Sequence, residues 1–240
     1  KMDYSAMKKA AGFAAVDKEV KSGMKIGVGS GSTVVFAAQR IGELFANGTL
    51  TDIVCIPTSF QARQLIKENK LPLGDLENYP ELDIAIDGAD SIDNDLNVIK
   101  GGGGACVQEK IVAMASKRLA IISDEGKYCK NYLGFNWSKG LPVEVIPSAY
   151  VPTMKQIKQK LGADSELRMA AKKAGPVVTD NGNFLLDVHL DWANISVDKL
   201  DDVDVTLLRL AGVVHTGLFL NMANIAYIAQ ADGNVLELTK

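Results

Sequence analysis

The sequence predicts an α/β protein: a mostly parallel, Rossmann-like sheet covered by helices, with an inserted smaller α/β domain of the split βαβ (ferredoxin-like) kind. Three observations predict it. Short apolar runs alternate with helix-length segments from Ala6 to Ile122, which is the pattern of parallel strands joined by helical crossovers. From Val143 the order becomes strand, helix, strand, strand, helix, strand, that of the split βαβ plait. Two further apolar runs, Ile225 to Ile228 and Val235 to Leu238, close the chain and are available to complete the first sheet. The expected division is residues 1–132 with 219–240 for the larger domain and 133–218 for the smaller one.

Taken in order, Ala6, Ala10, Phe13, Ala14 and Val20 recur with helical period, and Gly23 ends that helix. Met24 to Val28 is a strand, Gly29 to Thr33 a tight turn, and Val34 to Leu44 a helix. Ile53 to Ile56 is the second strand, followed by a helix through Arg63 and Ile66. Leu82 to Ile86 is the third strand, Ala105 to Ser116 a helix and Leu119 to Ile122 the fourth strand. Asn131 to Gly140, with Tyr132, Phe135 and Trp137 among glycines and polar residues, is a crossover. Val143 to Ile146 is a strand between two prolines, and Thr153 to Leu161 a helix. Pro176 to Thr179 and Phe184 to Val188 are two strands, because the Asn181-Gly182 pair between them is a strong hairpin signal. A helix near Val197 to Ala211 leads to the strand Val213 to His215.

Composition narrows the function. Hydrophobic residues make up 47% of 240, and the net charge of -3 comes from 26 basic and 29 acidic residues, well mixed. There is no basic stripe of the sort a nucleic-acid surface needs. No apolar run approaches the roughly 20 residues that span a bilayer, and Lys1-Met2-Asp3-Tyr4 lacks the apolar core of a signal peptide. Cys55, Cys106 and Cys129 fit neither a disulfide framework nor a metal knuckle, so a cytoplasmic setting is expected.

The chemistry concentrates in Asp87-Gly88-Ala89-Asp90, Lys100-Gly101-Gly102-Gly103-Gly104 and Glu109, just beyond the third strand. Ligands collect at the carboxyl ends of strands in open α/β sheets. Four successive glycines cost backbone entropy and offer close approach of amides to a ligand. Two carboxylates, a lysine and a carboxylate in the next helix suit proton transfer on an anionic substrate. Asp87 and Asp90 as turn caps, or as a two-carboxylate magnesium site that Lys100 would oppose, are the competing readings. For Lys100 and Glu109 it is helix decoration, with the neighbouring Lys110 solvated.

The turn from Gly27 to Thr33 is not a dinucleotide fingerprint, because Ser32 stands at its last glycine position, and it lacks the lysine of a Walker loop. What remains suits a phosphate: exposed amides at a helix start with the hydroxyls of Ser30, Ser32 and Thr33 around Gly31. The alternative is a tight turn with Ser32 or Thr33 as an ordinary helix cap. Lys127, after the fourth strand, is either a phosphate partner or solvated. His189 and His215 have no partners at ligand spacing and are expected to be structural.

Gly27 to Thr33, Asp87 to Asp90, Lys100 to Gly104 with Glu109-Lys110-Ile111, Ser123 to Lys127, Leu141 to Pro147 and Thr179 to Asn183, in that order, resemble the type A ribose-5-phosphate isomerase family over nearly the whole chain. Ser30 replaces a common threonine, keeping the hydroxyl, and Gly104 and Cys106 stand where alanine and leucine are common. The resemblance implies an isomerase of the non-oxidative pentose phosphate pathway that interconverts D-ribose 5-phosphate and D-ribulose 5-phosphate through a cis-enediolate, with no cofactor and no metal. It implies Glu109 as the base, Asp87 in ring opening with Asp90 nearby, and Lys100 as a catalytic and binding group. Ser30, Gly31, Ser32, Thr33, Gly88, Ala89, Gly101, Gly102, Gly103 and Lys127 complete the implied substrate site. It also implies a homo-oligomer, dimer or tetramer. Deamination of an amino sugar phosphate makes similar demands on such a site.

Overall fold

The computed structural model describes residues 3–240, so Lys1 and Met2 of the N-terminal stretch considered above lie outside the described residues. The chain runs α1 (Tyr4–Glu19), β1 (Lys25–Val28), α2 (Val34–Ala46), β2 (Val54–Pro57), α3 (Phe60–Glu68), β3 (Ile84–Gly88), β4 (Ser91–Ile92), β5 (Val98–Ile99), α4 (Cys106–Met114) and β6 (Leu119–Asp124). It continues through β7 (Leu141–Val145), α5 (Tyr150–Leu161), β8 (Asp164–Leu167), β9 (Phe184–His189), α6 (Leu200–Leu208), β10 (Val213–Thr216), β11 (Leu218–Phe219), β12 (Ile225–Ala229) and β13 (Val235–Thr239).

The first sheet has the order β13-β12-β6-β3-β1-β2 and is parallel except for the β12–β13 hairpin. Its central strands β3, β6 and β12 are buried on both faces, as expected of a sheet covered by helices, and the edge strand β13 is half-exposed. From β1 the chain moves outward to β2, and from β3 it moves the other way to β6. The crevice between the carboxyl ends of β1 and β3 is therefore a topological switch point, where ligands collect. The second sheet, β10-β7-β9-β8, is antiparallel throughout, which is the strand order of the split βαβ plait.

Sequence and structure part company at three places. The strand hydrogen-bonded to β9 on its outer side is β8, Asp164–Leu167, and not Pro176 to Thr179. β8 is a half-exposed edge strand, Asp-Ser-Glu-Leu, with no apolar run to announce it. The Asn181-Gly182 turn does form, through Gly182 N–H to Thr179 O at 2.9 Å and Thr179 N–H to Asn183 O at 2.9 Å. Its upstream arm bridges Met169 instead of building a ladder on β9. Secondly, β11, β5 and β4 form a small sheet of two-residue strands, too short for periodicity to reveal. Thirdly, the helix expected from Val197 to Ala211 is shorter, a 3₁₀ turn and then α6.

Candidate active site

The glycine turn after β1 and the Asp87–Asp90 segment at the end of β3 meet at the switch point. Gly29 is required there: a Cβ would lie 2.2 Å from Asp87 Oδ1. That oxygen accepts the Ser30 N–H at 3.0 Å and the Gly88 N–H at 2.7 Å, which locks the carboxylate in place.

Lys100 follows β5 and is buried, 3% exposed. Its Nζ donates to Gly88 O at 2.6 Å and lies 3.0 Å from Asp87 Oδ2 and 3.3 Å from Glu109 Oε1. An ammonium has three protons, and these three acceptors use them all. Burial opposes the charge on Lys100, but Asp87 and Glu109 outweigh it and hold the ammonium above lysine's usual range.

Glu109 projects from the first turn of α4. Burial, in spite of Lys100 and with the like charges of Asp87 and Asp90, pushes its carboxyl up to about 8. Its second oxygen, Oε2, is buried and has no hydrogen-bond partner. A carboxyl titrating close to neutral pH, with one oxygen free, is suited to general-base work.

The four glycines form a turn closed by Gly104 N–H to Gly101 O at 2.9 Å, with Gly101 and Gly104 at φ of 101° and 87°. Gly102 N–H donates to Asp90 Oδ2 at 2.6 Å. The expectation that all four amides face a ligand is therefore corrected, because those of Gly102 and Gly104 are already engaged.

These groups line one cleft of about 360 Å³. Its lining includes Lys100, Glu109, Asp90, Gly88, Ala89, Gly101 and Gly103, and also Ser30, Gly31, Ser32, Thr33 and Lys127. Asp87 and Gly102 do not line it; Asp87 sits behind Lys100 and reaches the cleft through it. The cap alternative for the turn fails: Thr33 has helical backbone angles and makes no side-chain cap bond. Ser32 Oγ instead accepts Lys8 Nζ at 3.0 Å, and Ser30 Oγ meets Thr58 Oγ1 at 2.8 Å.

Sequence reasoning missed several residues that belong here. Lys8 comes from α1, and Asp180 from the turn before β9, where its Oδ2 accepts the Phe60 N–H at 2.8 Å at the start of α3. Arg168, just beyond β8, donates to Gly101 O at 2.8 Å and Gly102 O at 3.3 Å. Each is a single side chain from a distant element, with no local motif to find it by. Lys110 corrects an expectation outright. It is buried, not solvated, and donates to Thr216 O at 2.8 Å and Leu218 O at 2.6 Å beside His215 Nδ1. Burial pushes its ammonium down to about 8. His215 is thus a packing partner of Lys110, and the exposed His189 lies 3.3 Å from Glu166. Among the described residues no group of three or more histidine, cysteine, aspartate or glutamate side chains is placed to hold a metal ion. Among the described residues no helix is long and apolar enough to cross a membrane.

Comparison with known proteins places this arrangement. The family model described as ribose 5-phosphate isomerase A (phosphoriboisomerase A) matches residues 54–233. A ribose-5-phosphate isomerase of Sus scrofa is 54% identical over 95% of this chain and 72% of its own length. One from Dictyostelium discoideum is 51% identical over 97% of both. Among solved structures, ribose 5-phosphate isomerase from Plasmodium falciparum superposes with a TM-score of 0.91 at 38% identity, covering 98% of this chain and 99% of that one. A D-ribose-5-phosphate isomerase in complex with phospho-erythronic acid gives 0.92 at 34% identity over the whole of both chains. The chain belongs to the ribose 5-phosphate isomerase A family.

Proposed function

We propose that the protein interconverts D-ribose 5-phosphate and D-ribulose 5-phosphate by proton transfer through a cis-enediolate, with Glu109 as the base. The observation that carries this reading is Glu109 Oε2, buried and unpartnered beside a cleft that Glu109 lines together with the hydroxyl-bearing turn Ser30 to Thr33, Lys8 and Lys127. The phosphate takes the helix start at Ser30 to Thr33 with Lys8 and Lys127. Its binding energy holds C1 and C2 against Glu109. Ring opening falls to the Asp87–Lys100 pair, with Asp90 facing the sugar.

Charge links Lys100 to the base. In the resting site the Glu109 carboxylate draws on Lys100. When Glu109 takes the C2 proton it becomes neutral, and the negative charge moves to the substrate oxygen. Lys100 then exchanges one carboxylate for the enediolate oxygen, so the buried lysine faces an anion at each stage. Glu109 returns the proton to C1, which reverses the exchange. The reaction is redox-neutral within one substrate, so no redox cofactor is needed, and Lys100 supplies the positive charge at the enediolate oxygen, so activity is expected to survive exhaustive chelation.

The division into residues 1–132 with 219–240 and 133–218 belongs to the same proposal, as do a cytoplasmic setting and a homo-oligomer. The deciding assay presents ribose 5-phosphate and an amino sugar phosphate in separate arms. Ribulose 5-phosphate in the first and no ammonia in the second support the isomerase; the opposite result would sink it.

A further inference from the structure

Arg168 belongs to the second sheet, yet its guanidinium reaches the glycine turn of the first. Nη1 donates to the carbonyls of Gly101 and Gly102, while Nε donates to Asp187 Oδ2 on β9 at 2.9 Å. Arg168 and Asp187 are thus a fork-to-fork pair, which fixes the plane of the guanidinium. The turn is gripped from the other side by Asp90, which accepts the Gly102 N–H.

The direction of these bonds has a consequence. In a planar trans peptide the C=O and N–H point opposite ways. The unit joining Gly101 to Gly102 has its carbonyl on Arg168 and its N–H on Asp90, at the cleft wall. The next unit has its carbonyl, that of Gly102, on Arg168 as well. Its N–H, that of Gly103, therefore points away from Arg168, and Gly103 lines the same cleft as Glu109, whereas Arg168 does not.

We propose that Arg168 is a positioning residue for the reaction: by holding the Gly101 and Gly102 carbonyls it aims the Gly103 amide into the cleft as a donor to the enediolate oxygen. The inference rests on the isomerase reading above. Preorganised backbone donors act where charge develops in the transition state, and contribute little to holding the ground state. Arg168 does not line the cleft. Its effect is confined to kcat and to ligands that carry the intermediate's charge, while the phosphate end is untouched. Lysine at this position keeps the charge but not the fork, so it cannot hold Asp187 and both carbonyls together.

Arg168→Met alone leaves the buried Asp187 carboxylate without its partner, so the double variant Arg168→Met/Asp187→Leu serves as the main test, with Arg168→Lys beside it. Three quantities are measured: turnover, inhibition by inorganic phosphate, and affinity for a four-carbon phosphorylated hydroxamate, whose planar anionic head imitates the enediolate. We expect kcat to fall at least ~10-fold and hydroxamate affinity to fall by a similar factor, with KM and phosphate inhibition within about threefold. A folded double variant with unchanged kcat overturns the inference, and so does a parallel loss in KM and phosphate inhibition, which a merely loosened fold would give. Amide hydrogen exchange at Gly102 and Gly104 keeps this separate from the reaction assignment. Faster exchange in the variant shows that Arg168 holds the turn even if the unaltered protein isomerises nothing, in which case only the reaction assignment fails; unchanged exchange refutes the inference itself.

Discussion

Glu109 shows how much a single side chain's meaning depends on its surroundings. On an exposed helix turn it would titrate as an ordinary carboxyl and stabilise the helix start. Buried beside two aspartates, it holds its proton up to about 8 despite Lys100. Glu109→Gln keeps the shape and removes the base, and kcat is expected to fall at least ~100-fold with KM little changed. In the unaltered protein, kcat/KM should fall as pH drops through about 8, because the base must be deprotonated. Stability changes in the opposite sense. The folded state binds this proton more tightly than the unfolded chain, so between about 4.5 and about 8 folding stability declines as pH rises. Urea unfolding at pH 5 and pH 8 should show this decline in the unaltered protein and a smaller one in Glu109→Gln. Equal declines would remove Glu109 from its buried, proton-holding state.

The elements that carry the site are tied across the two sheets by few contacts. The turn before β9 is anchored by Glu144 on β7, a fully buried carboxylate whose Oε1 accepts Thr179 Oγ1 at 2.9 Å and Asn183 Nδ2 at 2.8 Å. That turn holds Asp180 against the start of α3, at the rim of the cleft. Glu144→Ala leaves both donors without their acceptor and should cost on the order of 2 kcal/mol. Because the turn forms part of the cleft wall, the same variant should raise KM more than it lowers kcat. A stable variant with unaltered KM would detach this turn from substrate binding. The junction between β10 and β11 is a second tie. Lys110 grips Thr216 and Leu218 on either side of Gly217, and Gly217 O receives the Lys100 N–H at 2.9 Å. A Cβ on Gly217 would lie 2.2 Å from Lys100 O, so the backbone carrying the catalytic lysine fits only against glycine.

At the scale of the whole molecule, the cleft exists because the second sheet is folded back over the switch point of the first. Neither sheet supplies the site alone: β1 and β3 bring the turn and the aspartates, while Asp180, in the turn before β9, lines the cleft and Arg168, just beyond β8, holds the glycine turn. We propose that the chain also assembles as a homo-oligomer. Phe135, Ile111, Met114 and Val214 are large apolar side chains that remain exposed in the single chain. Light scattering across a dilution series should give at least a dimer mass at micromolar concentration. A monomeric mass with full activity would refute the oligomer.

The sequence by itself determined the alternation of strands and helices, the plait order of the second half and the cluster Asp87, Asp90, Lys100 and Glu109. Each of these is a local signal: hydrophobic period, a glycine where the backbone must turn or approach closely, or polar residues just past a strand. Tertiary structure decided which strand pairs with β9, since Asp164–Leu167 lies on an edge and carries no apolar pattern. It decided that Lys110 is buried while its neighbour Ile111 is exposed, because what covers a helix face comes from β10 and β11, a hundred residues away. It also decided that Asp87 stands behind Lys100 and not in the cleft wall. Local sequence sets which conformations are cheap; burial and charge compensation depend on groups distant in the chain, and only packing brings those together.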